Sequence, residues 1–136
     1  LPETVKLVTL LGTYIKKYYG SRYYGKATNL TRLLRGAYDK VLSKYDLLAM
    51  PTTAAKAQKL PKTDASVKEI VQSALPLYLN GNTQPFNATN HPAIAIPCGI
   101  SDGLPVSIML IGKHFDEPTI YQAAHAFQES TNWKKI

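Results

Sequence analysis

The chain has 136 residues, 45% hydrophobic and 18% charged, with 16 Lys and Arg against 9 Asp and Glu. At this size roughly two thirds of the unfolded surface can be buried, which allows a globular core, and no apolar run approaches the ~18 residues that a bilayer span requires. A single cysteine, Cys98, excludes an internal disulfide, so with no visible leader the expectation is a reducing, cytoplasmic setting without membrane contact.

The first predicted helix opens near Thr4 as a cap. Val8, Leu11, Ile15 and Tyr18 recur at helical intervals, Lys16 and Lys17 suit its carboxyl end, and Gly20 stops it. A second helix is expected from Thr28 or Asn29 to about Ser43, because Leu30, Leu33, Leu34, Ala37, Tyr38, Val41 and Leu42 fall on one stripe. Tyr45 to Met50 then reads as a short buried strand ended by Pro51. Thr52 to Thr63 lacks periodicity and is expected to be a loop. Ser66 to Leu75 follows as a helix whose continuation Pro76 breaks.

Asn80 to Pro85 is rich in turn-forming residues. Two apolar strands come next, Ala93 to Pro97 and Val106 to Ile111, joined by Cys98 to Pro105 with Asp102-Gly103 at the tip, which predicts an antiparallel hairpin. The last helix starts with Asp116 as a cap and Glu117-Pro118 in its first turn, and buries Ile120, Ala123, Ala124 and Phe127. Four helices and three apolar strands leave sheet edges unpaired and faces uncovered, so further polypeptide is expected to complete the sheet.

Few residues carry chemistry of their own. Cys98 reads as a small buried hydrophobe, and His91, His114 and His125 show no ligand-like or triad-like spacing, so no metal site is expected. The serines are isolated. There is no Gly-x-Ser-x-Gly elbow, no Ser-x-x-Lys box, no phosphate loop and no dinucleotide fingerprint, and Ser66-Val67-Lys68 is an ordinary helix start. The basic residues Lys16, Lys17, Arg22, Lys26, Arg32, Arg35, Lys40 and Lys44 are interleaved with tyrosines. Such a mixture can bind single strands, but its helical spacing favours solvated charges and tyrosines at a core edge.

The sequence resembles the C-terminal part of the amidase signature enzymes in several collinear segments: Tyr23-Tyr24-Gly25-Lys26-Ala27, Tyr45 to Thr52, Phe86-Asn87-Ala88-Thr89 with His91-Pro92-Ala93, Gly103-Leu104-Pro105-Val106 and Ala123 to Phe127. It looks most like the bacterial amidases that act on simple aliphatic and aromatic amides. The resemblance implies an α/β fold, with residues 1–136 supplying the C-terminal segment of a single amidase domain: part of a mixed β-sheet flanked by helices, incomplete on its own. It also implies hydrolysis of carboxamides to acid and ammonia through an acyl-enzyme, with a Ser, Ser, Lys triad and a glycine-rich oxyanion loop. Neither is present here, so no catalytic residue is assigned and the chain alone is expected to be inactive.

By the same resemblance Thr52, Thr53, Asn87 and Thr89 are candidate substrate-binding residues, with loop capping and local backbone satisfaction as their plainer roles. The expected partners are the N-terminal part of the same enzyme and a small amide; a homodimer is compatible, nucleic acid is disfavoured, and no cofactor is implied. Alternatives are a glutaminase-type component of a tRNA-dependent amidotransferase and a basic nucleic-acid-binding module. Asn90 stands where many family members carry Gly, which predicts a left-handed backbone at that residue.

Overall fold

The computed structural model describes residues 1–79 and 81–133. In chain order it contains α1 (Glu3–Tyr19), α2 (Arg22–Leu42), β1 (Leu48–Pro51), α3 (Val67–Leu79), α4 (Gln84–Thr89), β2 (Ala93–Ser101), β3 (Leu104–Ile111) and α5 (Glu117–Ser130). The strands form one sheet in the order β1-β3-β2, antiparallel throughout, so within this chain the sheet expected to be mixed has antiparallel pairs only. Among the described residues no helix is long and apolar enough to cross a membrane.

The hairpin forms as the sequence predicts, with longer arms. Asp102 (φ 53°) and Gly103 (φ 76°) make a two-residue turn with both residues left-handed, the geometry that matches strand twist and that Asp-Gly accommodates. The register shifts between Pro97 and Gly99, leaving Cys98 as the extra residue of a bulge. Cys98 is therefore half-buried there instead of fully enclosed.

Register assigns the two faces of the sheet. Leu48 and Ala93 both oppose Ile111, and Met50 and Ala95 both oppose Met109, so these side chains share one face. On that face Phe86, Met109 and Ile111 form a buried cluster, with Tyr38, Leu48 and Met50 packed against it. The opposite face carries Ile94, Ile96, Ile108 and Leu110, and α5 packs on it through Ile120 and Ala124. Gly112 lets α5 approach closely, since a Cβ there would lie 2.8 Å from Ile120 Cγ1.

Several elements differ from expectation for identifiable reasons. α1 starts at Glu3, after Pro2, so Thr4 lies inside the helix and no side chain caps it. Its apolar stripe is mostly exposed: α1 has no buried residue, Val8, Leu11 and Tyr18 are 65%, 55% and 62% exposed, and Ile15 is half-buried. α2 begins at Arg22, well before Thr28, because Gly25 is accommodated in the first turn, its N–H donating to Ser21 O at 2.9 Å. α3 continues through Pro76, which removes one helical donor without ending the helix.

Where composition predicts a turn running into a loop, the chain forms α4. Thr83-Gln84-Pro85 opens this helix with Pro in its first turn, where a missing N–H costs nothing; Asn80 lies outside the described residues. Ser66 and Glu69 form a reciprocal cap at the start of α3, with Ser66 N donating to Glu69 Oε2 at 2.8 Å. Asp116 occupies the N-cap position of α5, but its carboxylate accepts from the Thr119 hydroxyl (2.7 Å) and not from a backbone N–H.

Candidate functional site

α4 and the segment after it organise the site. Asn90 has φ 61° and ψ 29°, the left-handed conformation expected, and it ends the helix so that His91 turns back beneath α2. Arg35 of α2 donates through Nε to Thr89 O at 3.0 Å, placing a cation at the carboxyl end of α4. The Asn90 amide fits with its oxygen 3.0 Å from Arg35 Nη2 and its nitrogen 3.2 Å from Asn87 O. We expect Asn90→Ala to be less stable than Asn90→Gly by about 1–2 kcal/mol in urea denaturation, because only Gly takes this backbone without a Cβ penalty.

A cleft of about 330 Å³ opens on the β1-β3-β2 face, bordered by Thr52, Phe86, Asn87, His91, Ala95 and Met109. Thr52 enters it because its N–H still pairs with Ser107 O (3.0 Å), extending the ladder one residue beyond β1. Its Oγ1 is enclosed and has no hydrogen-bond partner among the described residues. An unpaired buried hydroxyl costs about 1–3 kcal/mol, so a ligand that satisfies it gains that much.

The four sequence-predicted binding residues separate into two pairs. Thr52 and Asn87 both line the cleft. Thr53 is exposed, its hydroxyl donating to Ala55 O at 2.8 Å, which shapes the loop. Thr89 is fully buried; its hydroxyl donates to Pro85 O (2.9 Å) and meets His91 Nδ1 at 2.8 Å.

A second cleft, of about 720 Å³, shares Phe86, Asn87 and His91 with the first and is also lined by Arg35, Asn90, His114 and Glu117. Here sequence spacing hides a cluster. His91 and His114 stack with ring centroids 4.1 Å apart, and their Nε2 atoms lie 3.2 and 3.6 Å from the same Asp39 oxygen. The His91 side chain is wholly enclosed, and burial pushes its pKa below the usual imidazole value; His114 adds to the lowering while Asp39 opposes it. These residues sit on α2, before β2 and after β3, so no local motif could reveal them. His125, the third histidine, is exposed on α5.

The sequence matches the amidase family over residues 1–121. The chain belongs to the amidase family. It is 41% identical over 129 residues to a protein from the nthA 5′ region of Rhodococcus erythropolis, covering 95% of this chain and 64% of that one. It is 39% identical over 133 residues to a glutamyl-tRNA(Gln) amidotransferase polypeptide of Geobacillus kaustophilus, covering 96% of this chain and 26% of the relative.

Solved structures agree with the fold of this amidase-family chain. The corresponding glutamyl-tRNA(Gln) amidotransferase polypeptide from Thermotoga maritima superposes with a TM-score of 0.68 at 26% identity, over 96% of this chain and 27% of that one. A bacterial aryl acylamidase of the amidase signature family gives 0.78 at 19% identity, over 99% and 27%, a likeness of fold. The chain thus spans 64% of one curated relative and about a quarter of the amidotransferase polypeptides.

Proposed function

We propose that the chain is the C-terminal segment of an amide hydrolase, residues 1–136 forming part of a single amidase domain that works in the cytoplasm. The family match over residues 1–121 carries the reading. The sheet geometry supports it, since among the described residues both outer strands, β1 and β2, have one unpaired edge, and α1 has no buried residue. The partner of these surfaces is the remaining polypeptide of the same enzyme. It brings the catalytic Lys, the bridging Ser and the nucleophilic Ser that this chain lacks.

In the completed site the nucleophilic Ser oxygen attacks the amide carbonyl after passing its proton through the bridging Ser to the Lys. The C–N bond then breaks, ammonia leaves with a proton, and water releases the acid from the acyl-enzyme. This chain contributes a wall of the pocket. Thr52 and Asn87 face the small amide, Thr53 sets the loop that carries Thr52, and Thr89 anchors α4 beneath Asn87.

The test uses the completed protein with simple aliphatic and aromatic amides and no tRNA. Ammonia should be released, and Thr52→Val should lower kcat/KM by roughly 5–150-fold, the worth of a hydrogen bond of about 1–3 kcal/mol. No turnover of simple amides, together with glutamine-dependent ammonia delivery to a charged tRNA, would favour the amidotransferase reading suggested by relatives at 39% identity.

A further inference from the structure

We propose that Asp39, His91 and His114 form a binding site for one divalent cation of the zinc class. Ligand-type atoms of the three residues lie within 4.8 Å of one another. Zinc bonds of about 2.0–2.1 Å in a tetrahedron imply ligand-to-ligand edges of about 3.3–3.4 Å. The observed separations from Asp39 Oδ1 are 3.2 Å to His91 Nε2 and 3.6 Å to His114 Nε2.

Hydrogen-bond direction sharpens the case. The Thr89 hydroxyl spends its hydrogen on Pro85 O, so toward His91 it can only accept. In the neutral ring His91 Nδ1 then carries the proton, which leaves Nε2 as a lone pair. That lone pair faces a carboxylate oxygen, which is also an acceptor. His114 Nε2 meets the same oxygen and is itself enclosed without a hydrogen-bond partner among the described residues. Three electron-pair donors converge on a point that a cation would satisfy, and Thr89 fixes the tautomer as outer-shell partners of zinc-bound histidines do.

The donor set selects the metal class. Two imidazoles and one carboxylate suit zinc and its first-row neighbours, whereas calcium and magnesium prefer all-oxygen sites. A fourth position opens on the 720 Å³ cleft, where Glu117 adds negative charge and Arg35, committed to Thr89 O, adds one opposing positive charge. Phe115, immediately after His114, holds a left-handed φ of 63° and is 93% exposed, so the segment that presents His114 is bent without packing of its own. A bound ion would link α2, the α4–β2 junction and the β3–α5 junction.

The test is independent of turnover. The chain, together with the polypeptide that completes it, is stripped with a chelator and titrated with Zn²⁺ by calorimetry, and its thermal midpoint is followed in parallel. One ion per chain and a raised midpoint are expected. His114→Ala and Asp39→Asn should each weaken binding by more than the 10–100-fold that loss of an outer-shell partner typically costs, and Thr89→Val should weaken it within about that range. The exposed-histidine control His125→Ala should bind like the parent. Absence of Zn²⁺ uptake, or uptake that survives unchanged in both His114→Ala and Asp39→Asn, overturns the site. So does nitrogen NMR of the metal-free protein that finds the His91 proton on Nε2 and the lone pair on Nδ1.

Discussion

Phe86→Ala should destabilise the chain by about 3–5 kcal/mol, the range for removing a buried aromatic side chain when the cavity cannot collapse. Phe86 is 3% exposed, contacts Met109 and Ile111 in the core cluster, and stacks at 4.9 Å from the Tyr38 ring. It is also the residue by which the six-residue helix α4 is held on the sheet, since so short a helix has little stability of its own. Loss of Phe86 should therefore loosen the Thr52–Asn87 cleft as well as lower the urea midpoint. An equally placed Phe86→Leu should retain most of the stability, and a midpoint unchanged in Phe86→Ala would show that this cluster is not the core.

The double substitution Leu11→Ser with Tyr18→Ser should leave the chain's own fold intact yet strongly weaken its association with the polypeptide proposed to complete it. Both residues lie on α1 at 55% and 62% exposure, so neither contributes much to folding here. Leu7, Leu10 and Tyr14 extend the same face, giving an apolar surface of a kind that soluble proteins seldom leave open. Burying a large apolar side chain contributes about 1.5–3 kcal/mol, so two lost together should weaken association by roughly 10²–10⁴-fold. Titration of the separately prepared parts would measure it, and unchanged affinity would place the interface elsewhere.

How far the sequence can be read depends on the range of the forces involved. The Asp102-Gly103 hairpin and the Gly20 stop are set by local backbone sterics and follow from residue type, whereas the left-handed Asn90 is legible through the family resemblance, where Gly is common at that position. The apolar stripe of α1 is legible as a pattern but not as a burial, because periodicity reveals which face is apolar and not what covers it. α4 escapes prediction because Thr83-Gln84-Pro85 has the composition of a turn as well as of a helix start. The convergence of Asp39, His91 and His114 depends on packing between positions 52 residues apart in the case of Asp39 and His91, which no local window contains.

Family membership is carried by collinear segments, and the chain spans 64% of one relative and 26% of another. Among the described residues β1 and β2 each keep one unpaired edge and α1 has no buried residue, surfaces that the proposed remaining polypeptide would cover. The most direct measurement is ammonia release from simple carboxamides by this chain alone and by this chain combined with the polypeptide carrying the Ser and Lys residues. No turnover alone and turnover on combination is the predicted outcome; sustained amide hydrolysis by the 136 residues alone would contradict the account.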